Sequence, residues 1–196
     1  MAIQIESTPE NPYNEYIITK RSIKELYFGN RELLDSICIE IKNNVDLYFK
    51  ESWGEVQTTH KYAQDMLTVP KFKNLKYELL KAIDVLLKKT PFEKHSYYIN
   101  QSWFNYYKIG DKQSLHNHVT HLQSGCFLSG ILYLEPNNTP IEFIDFNTMR
   151  QNTIKITPKE YHLFLFDSDS LHQVYQVKEK GRVTFAFNIR FMGSYV

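Results

Sequence analysis

From Asn30 to Lys50, apolar residues return every three or four positions: Leu34, Ile37, Ile41, Val45 and Tyr48. That spacing predicts an amphipathic helix, because residues three and four apart share one face. Asn30 is suited to cap its start. A second stripe (Phe72, Leu75, Leu79, Ile83, Leu86 and Leu87) predicts a helix over Lys71–Lys89. Thr90-Pro91 ends it, since the residue before proline avoids the α region. After Lys94 the texture changes to aromatic and β-branched runs: SWFNYYKIG, CFLSGILYLE, IEFID, TIKI, YHLFLFD, HQVYQV and RVTFAFNIRF. Turn signals such as Gly110-Asp111, Glu135–Asn138 and Glu179–Gly181 separate them. Seven or eight short strands at near-regular spacing predict a β-sandwich or barrel, with the two helices covering one sheet face. The length fits one domain over 1–196, with 1–94 mainly helical and 95–196 forming the β core.

Charge and composition narrow the class of partner. The net charge is +1 and the basic residues are interspersed with acids. No basic stripe for nucleic acid is present. No apolar run approaches the roughly 20 residues that span a bilayer, and the amino end, with its acids and prolines, is unlike a signal peptide. Cys38 and Cys126 stand far apart with no CxxC pairing, which fits a reduced compartment. Cys126, within an apolar run, is expected in the core. A soluble cytoplasmic protein is the expectation, and a homodimer is compatible with it.

Four features of the strand region converge on one chemistry. His116 and His118 are separated by one residue, so in a strand both imidazoles point the same way, toward one metal ion. His172 lies some fifty residues on and can close a facial triad, leaving coordination positions open. Arg182 begins a strongly apolar strand, where a buried guanidinium needs an anion. A dicarboxylate's far end would supply one, held bidentately. Thr184, two residues on, faces the same way and adds a hydroxyl donor. Each feature alone has an ordinary reading: a paired histidine on an exposed strand, a satisfied polar group, an arginine bonded to an interior acid. Their order and spacing together favour the chemical one.

The stretch WFNYYKIGDKQSLHNH…LSGILYLE…FLFDSDSLHQV…GRVTFAFN, from Trp103 to Asn188, resembles the 2-oxoglutarate/Fe(II) oxygenases of the prolyl-4-hydroxylase-like group. The resemblance implies a double-stranded β-helix (jelly-roll, cupin-like) that couples decarboxylation of 2-oxoglutarate by O2 to hydroxylation of a substrate. It implies that His116 and His172 bind Fe(II), that Arg182 with Thr184 binds the 5-carboxylate of 2-oxoglutarate, and that Tyr107, rather than Tyr106, donates to the same group. His118 stands where most of the superfamily has Asp. A three-histidine set adds no negative charge, so weaker iron retention and stronger dependence on 2-oxoglutarate are expected. A carboxylate from Asp111 or Asp145 is the alternative third ligand.

Two other readings compete. Gly110, His116, His118, Gln123 and Gly130 follow the first cupin motif with Gln for Glu, which would make the chain a metal isomerase or another dioxygenase. The Pro-x-Gly of the second cupin motif is missing before His172. Alternatively, the chain is a metal-free β-sandwich binding module, with the histidines in a polar loop. Of the remaining residues, His121 is expected in a loop, His162 facing solvent, and Trp103 and Tyr133 in barrel packing with Tyr133 within reach of the pocket. Asn188 would hold a loop, and His60 and His95 carry no signal. The loops Gln57–Val69, His118–Cys126 and Asn137–Pro140 would select the substrate, a peptide such as a prolyl side chain or a small molecule.

Overall fold

The computed structural model describes residues 2–8, 12–18, 21–49, 51–53, 55–60, 65–88, 90–119, 127–147 and 150–192. The elements in chain order are β1 (Ala2–Ile5), β2 (Asn14–Ile18), β3 (Arg21–Tyr27), α1 (Arg31–Asn43), α2 (Val45–Tyr48), β4 (Glu51–Trp53), β5 (Val56–Thr58) and α3 (Lys73–Leu87). They continue with β6 (Ser96–Tyr107), β7 (Gln113–His116), β8 (Leu128–Glu135), β9 (Ile141–Asn147), β10 (Arg150–Ile156), β11 (His162–Asp167), β12 (Leu171–Val174) and β13 (Arg182–Met192). Asn30 caps α1 as expected, its side chain accepting from the Leu33 N–H at 3.2 Å. The first predicted helix breaks at Asn44, whose amide bonds back to the Glu40 carbonyl at 2.9 Å. Asparagine readily takes such local bonds in place of helix geometry. The second helix starts two residues later than the stripe suggested, after a 3-10 turn over Pro70–Phe72.

The eight strands after residue 95 match the periodicity. Strands also occupy the first 94 residues, expected to be mainly helical. These extra strands widen one sheet on both sides: its order is β1-β2-β3-β11-β8-β13-β6-β5-β4, and the second sheet is β10-β9-β12-β7. All pairings are antiparallel, and the two sheets form the jelly roll.

Alternation along the central strands divides the interior in two. Phe104, Leu132, Leu163 and Phe185 meet Leu34, Ile41, Leu75 and Leu79 of α1 and α3. Residues one position away, including Trp103, Tyr133, Phe164 and Ala186, meet Phe143 and Ile141 of the small sheet. Each large apolar side chain so buried stabilises the fold by about 1.5–3 kcal/mol. Gly130 on β8 lies under the Phe187 ring, in space that a Cβ would occupy. No helix among the described residues is long and apolar enough to cross a membrane.

A buried carboxylate joins the outer strands to this core. Glu25, 2% exposed, accepts from Tyr16 Oη at 2.7 Å, Asn14 Nδ2 at 3.0 Å and His162 Nδ1 at 2.8 Å. His162 is therefore partly buried and bonded, rather than facing solvent. Burial pushes the Glu25 carboxyl up, but the three donors outweigh it and leave it below its ordinary value.

Two measurements check this packing. Gly130→Ala should destabilise the protein by about 1–3 kcal/mol through overpacking, read by chemical denaturation, and adding Phe187→Leu should recover part of the loss. A carboxyl lowered on folding contributes stability above the unfolded carboxylate pKa and loses it as pH falls through the folded value. Melting temperature should therefore fall less steeply in Glu25→Gln than in wild type as pH drops below about 4.5; parallel curves would contradict the assignment.

Candidate metal centre

Strands β7 and β12 are neighbours in the small sheet, and their register sets His116 directly opposite His172. Cross-strand neighbours on one face lie side by side, and these two rings stand 4.2 Å apart between centroids. His118 lies just past β7, where its backbone N–H donates to the Ser168 carbonyl at 2.8 Å. Its ring lies 5.6 Å from His116 and 5.0 Å from His172. One nitrogen from each of the three lies within 4.8 Å of the others, and among the described residues no carboxylate joins the group. Asp111 instead closes the turn after β6, accepting the Lys108 N–H at 2.7 Å.

Hydrogen bonds fix the state of each ring. His116 Nδ1 meets the Ser114 carbonyl at 2.7 Å, and His172 Nδ1 meets the Ser170 carbonyl at 2.9 Å. A carbonyl only accepts, so both Nδ1 atoms carry the proton and the lone pair resides on Nε2. His118 Nδ1 bonds to Asn188 Oδ1 at 3.0 Å. Burial holds His118 down to about 3, with His116 adding to the effect, and holds His172 well below the ordinary imidazole range. Burial lowers His116 as well. Three neutral imidazoles with Nε2 as the donor form the set that a borderline divalent metal takes.

The inward row of β13 runs from this centre to Arg182. Arg182 is 1% exposed, and its Nη1 donates to the Thr139 carbonyl at 2.9 Å. Its Nε has no partner, and among the described residues no carboxylate pairs with it. The guanidinium packs 4.7 Å from the Tyr107 ring centre and 5.3 Å from that of Tyr133. Thr184, also buried, follows on the same face. The Tyr107 hydroxyl already donates to Gln113 Oε1 at 2.8 Å, whereas the buried Tyr133 hydroxyl has no partner. Burial pushes both phenols up, so both remain protonated donors. Unpaired buried groups are costly, and this cluster of donors around one cation suits a carboxylate. Asn105 Oδ1 and Trp103 Nε1, also buried without partners, line the same cleft between Arg182 and the histidines.

Of the expected site residues, the structure brings together all three histidines at one end and Arg182, Thr184 and Tyr107 at the other. From the sequence, Tyr133 is expected in barrel packing within reach of the pocket, and His60 carries no signal; Tyr133 does line the cleft. His60 packs its ring 4.6 Å from Trp103, which in turn lies 5.5 Å from His118, so the described part of Gln57–Val69 reaches the metal end. The Asn137–Pro140 loop supplies the Thr139 carbonyl that accepts from Arg182 Nη1. His121, Gln123 and Cys126 lie outside the described residues.

No protein-family model matches the chain, and no curated protein matches it in sequence. Solved structures do match. A prolyl-4-hydroxylase from Pseudomonas putida is 12% identical with a TM-score of 0.64, over 87% of this chain and 93% of that one. The viral collagen prolyl hydroxylase from Paramecium bursaria Chlorella virus-1, solved with 2-oxoglutarate, is 16% identical with a TM-score of 0.55, over 87% and 96%. The non-haem α-ketoglutarate-dependent epimerase SnoN of nogalamycin biosynthesis is 7% identical with a TM-score of 0.68, over 85% and 76%. At these identities the likeness is one of fold, and the fold of this chain is the double-stranded β-helix of 2-oxoglutarate/Fe(II) oxygenases.

Proposed function

We propose that this protein is a non-haem Fe(II) oxygenase that consumes 2-oxoglutarate and O2 and hydroxylates a small-molecule or peptide substrate in the cytoplasm. The observation that carries the reading is a trio of neutral, Nε2-presenting histidines in one cleft with a buried arginine that has no acid partner among the described residues. His116, His118 and His172 would hold the iron. Arg182 would hold the far carboxylate of 2-oxoglutarate, with Thr184 and the hydroxyls of Tyr133 and Tyr107 as further donors. When bound, the metal and co-substrate supply oxidising power toward a C–H bond, releasing succinate and carbon dioxide.

The chain's own contribution is placement and exclusion of water. Phe143 and Phe166 pack their rings 5.6 and 5.1 Å from His172 and shield that ligand. Arg182 would hold one end of a dicarboxylate, and the cleft it shares with the histidines would orient the rest of the molecule. The prolyl hydroxylases among the fold neighbours favour a peptidyl substrate, while the epimerase among them suits a small metabolite. Trp103, with His60 packed against it, flanks His118 at the metal end of the cleft for either.

The test is an anaerobic titration of metal-free protein with Fe(II), with and without 2-oxoglutarate, followed in the visible spectrum. A weak charge-transfer band that requires both additions is the expected result. His116→Ala should abolish it at any 2-oxoglutarate concentration. Arg182→Ala should shift it to higher 2-oxoglutarate by about 30-fold or more, since stripping one partner from a buried charge pair costs about 2–5 kcal/mol. Iron uptake with no such band would move the chain to the cupin reading, and no metal uptake would leave a binding module.

A further inference from the structure

We infer that Asn188 is the positioning residue that makes His118 a metal ligand, acting as the fixed acceptor for its Nδ1 proton. The inference rests on the metal reading above and concerns the one ligand that departs from the usual carboxylate.

The three histidines differ in how their tautomer is secured. His116 and His172 each bond to a main-chain carbonyl two residues earlier in their own segment. Those acceptors come with the strand backbone and cannot turn. His118 has no such carbonyl; its Nδ1 partner is a side chain 70 residues away on β13, 4% exposed. An amide, unlike a carbonyl, offers two different faces. With Oδ1 toward the ring, Nδ1 holds the proton and Nε2 is a metal donor. Turned over, Nδ2 would donate to Nδ1, and the ring's proton would move to Nε2, where the metal binds.

The surroundings hold the amide in the metal-competent sense. Ser129 Oγ lies 2.8 Å from Asn188 Oδ1 and donates to it, while Ser168 Oγ lies 2.8 Å from Ser129 Oγ. On the other side Asn188 Nδ2 donates to Gln101 Oε1 at 3.2 Å. The Ser168 carbonyl also takes the His118 backbone N–H at 2.8 Å, so one polar cluster grips both the ring and the main chain of this ligand. Asn188 touches no position where substrate or co-substrate would react; it acts through His118. A neutral amide also leaves the centre without ligand charge, where an aspartate at the same place would add one.

The test is Co(II) binding to the metal-free, full-length protein, read from the visible absorption of the bound ion, with melting temperature as the check on folding. Wild type should bind. Asn188→Ala should bind about 10- to 100-fold more weakly, the usual loss on removing a ligand's hydrogen-bond partner. Asn188→Asp, which keeps an acceptor oxygen and adds a negative charge, should bind at least as tightly as wild type. Gln101→Ala, at an exposed position that does not threaten the fold, should weaken binding by about threefold to tenfold, one hydrogen bond's worth. It carries the test alone if Asn188→Ala does not fold. Wild-type affinity in folded Asn188→Ala, or in Gln101→Ala should that variant stand alone, would overturn the inference. So would equal weakening in folded Ala and Asp variants, which would make Asn188 a packing residue. Failure of wild type to take up Co(II) would instead sink the metal reading and the inference together.

Discussion

Strand β13 is hydrogen-bonded on both edges, to β6 and β8, and covered on both faces, so none of its central side chains meets water. The pleat then forces a division of labour. Val183, Phe185, Phe187 and Ile189 point toward the helices and form part of their core. Arg182, Thr184 and Ala186 line the cleft on the other face, and Asn188 on that face reaches the ring of His118. A slip of one residue would carry the guanidinium into the helical core and the phenylalanines into the cleft. The tightness that prevents it is visible at Gly130, where only the absence of a side chain lets the Phe187 ring lie against β8. The spacing between Arg182 and the histidines is thus a property of backbone geometry, and β12 with β7 set His172 and His116 face to face at a register fixed by the small sheet.

Much of this was legible in the sequence, and for a physical reason. Period-two alternation around RVTFAFN has to place Arg182 and Thr184 on one face, and the single residue between His116 and His118 pairs those rings. The helices were legible from apolar stripes because each lays one face on a sheet. What escaped was whatever depends on contacts across long separations. Tyr133 is expected within reach of the pocket, but that its buried hydroxyl lacks a partner among the described residues shows only in the fold. Asn188 looks like a strand-end amide until His118 is found beside it. His60 reaches Trp103 only because the strand pair before it folds back on β6. Strands β1–β3 gave little pattern because strands near a sheet edge keep polar residues, and the inward Glu25 interrupts the apolar alternation.

The centre also differs in charge from its surroundings. Three uncharged rings, an uncharged amide behind one of them and a lone guanidinium some way along the same cleft give a site that is cationic before any ligand arrives. Aromatic walls from Phe143, Phe166 and Trp103 lower the local dielectric and strengthen every charge interaction inside. Such a cavity favours the entry of a doubly negative molecule over a neutral one. Metal and anion would then reinforce each other's binding, because the anion balances the positive charge that the guanidinium and the metal share.

The placement of β3 has a consequence for how the chain reaches this state. It pairs with β11, setting Ile23 opposite Phe166 across most of the length of the polypeptide. Contacts so remote in sequence are slow to form, because the loop between them must be closed before they contribute. The β2–β3 hairpin therefore keeps Tyr16 and Ile23 unburied until β11 and its neighbours have been made, so the first strands of the large sheet are among the last to be closed into it.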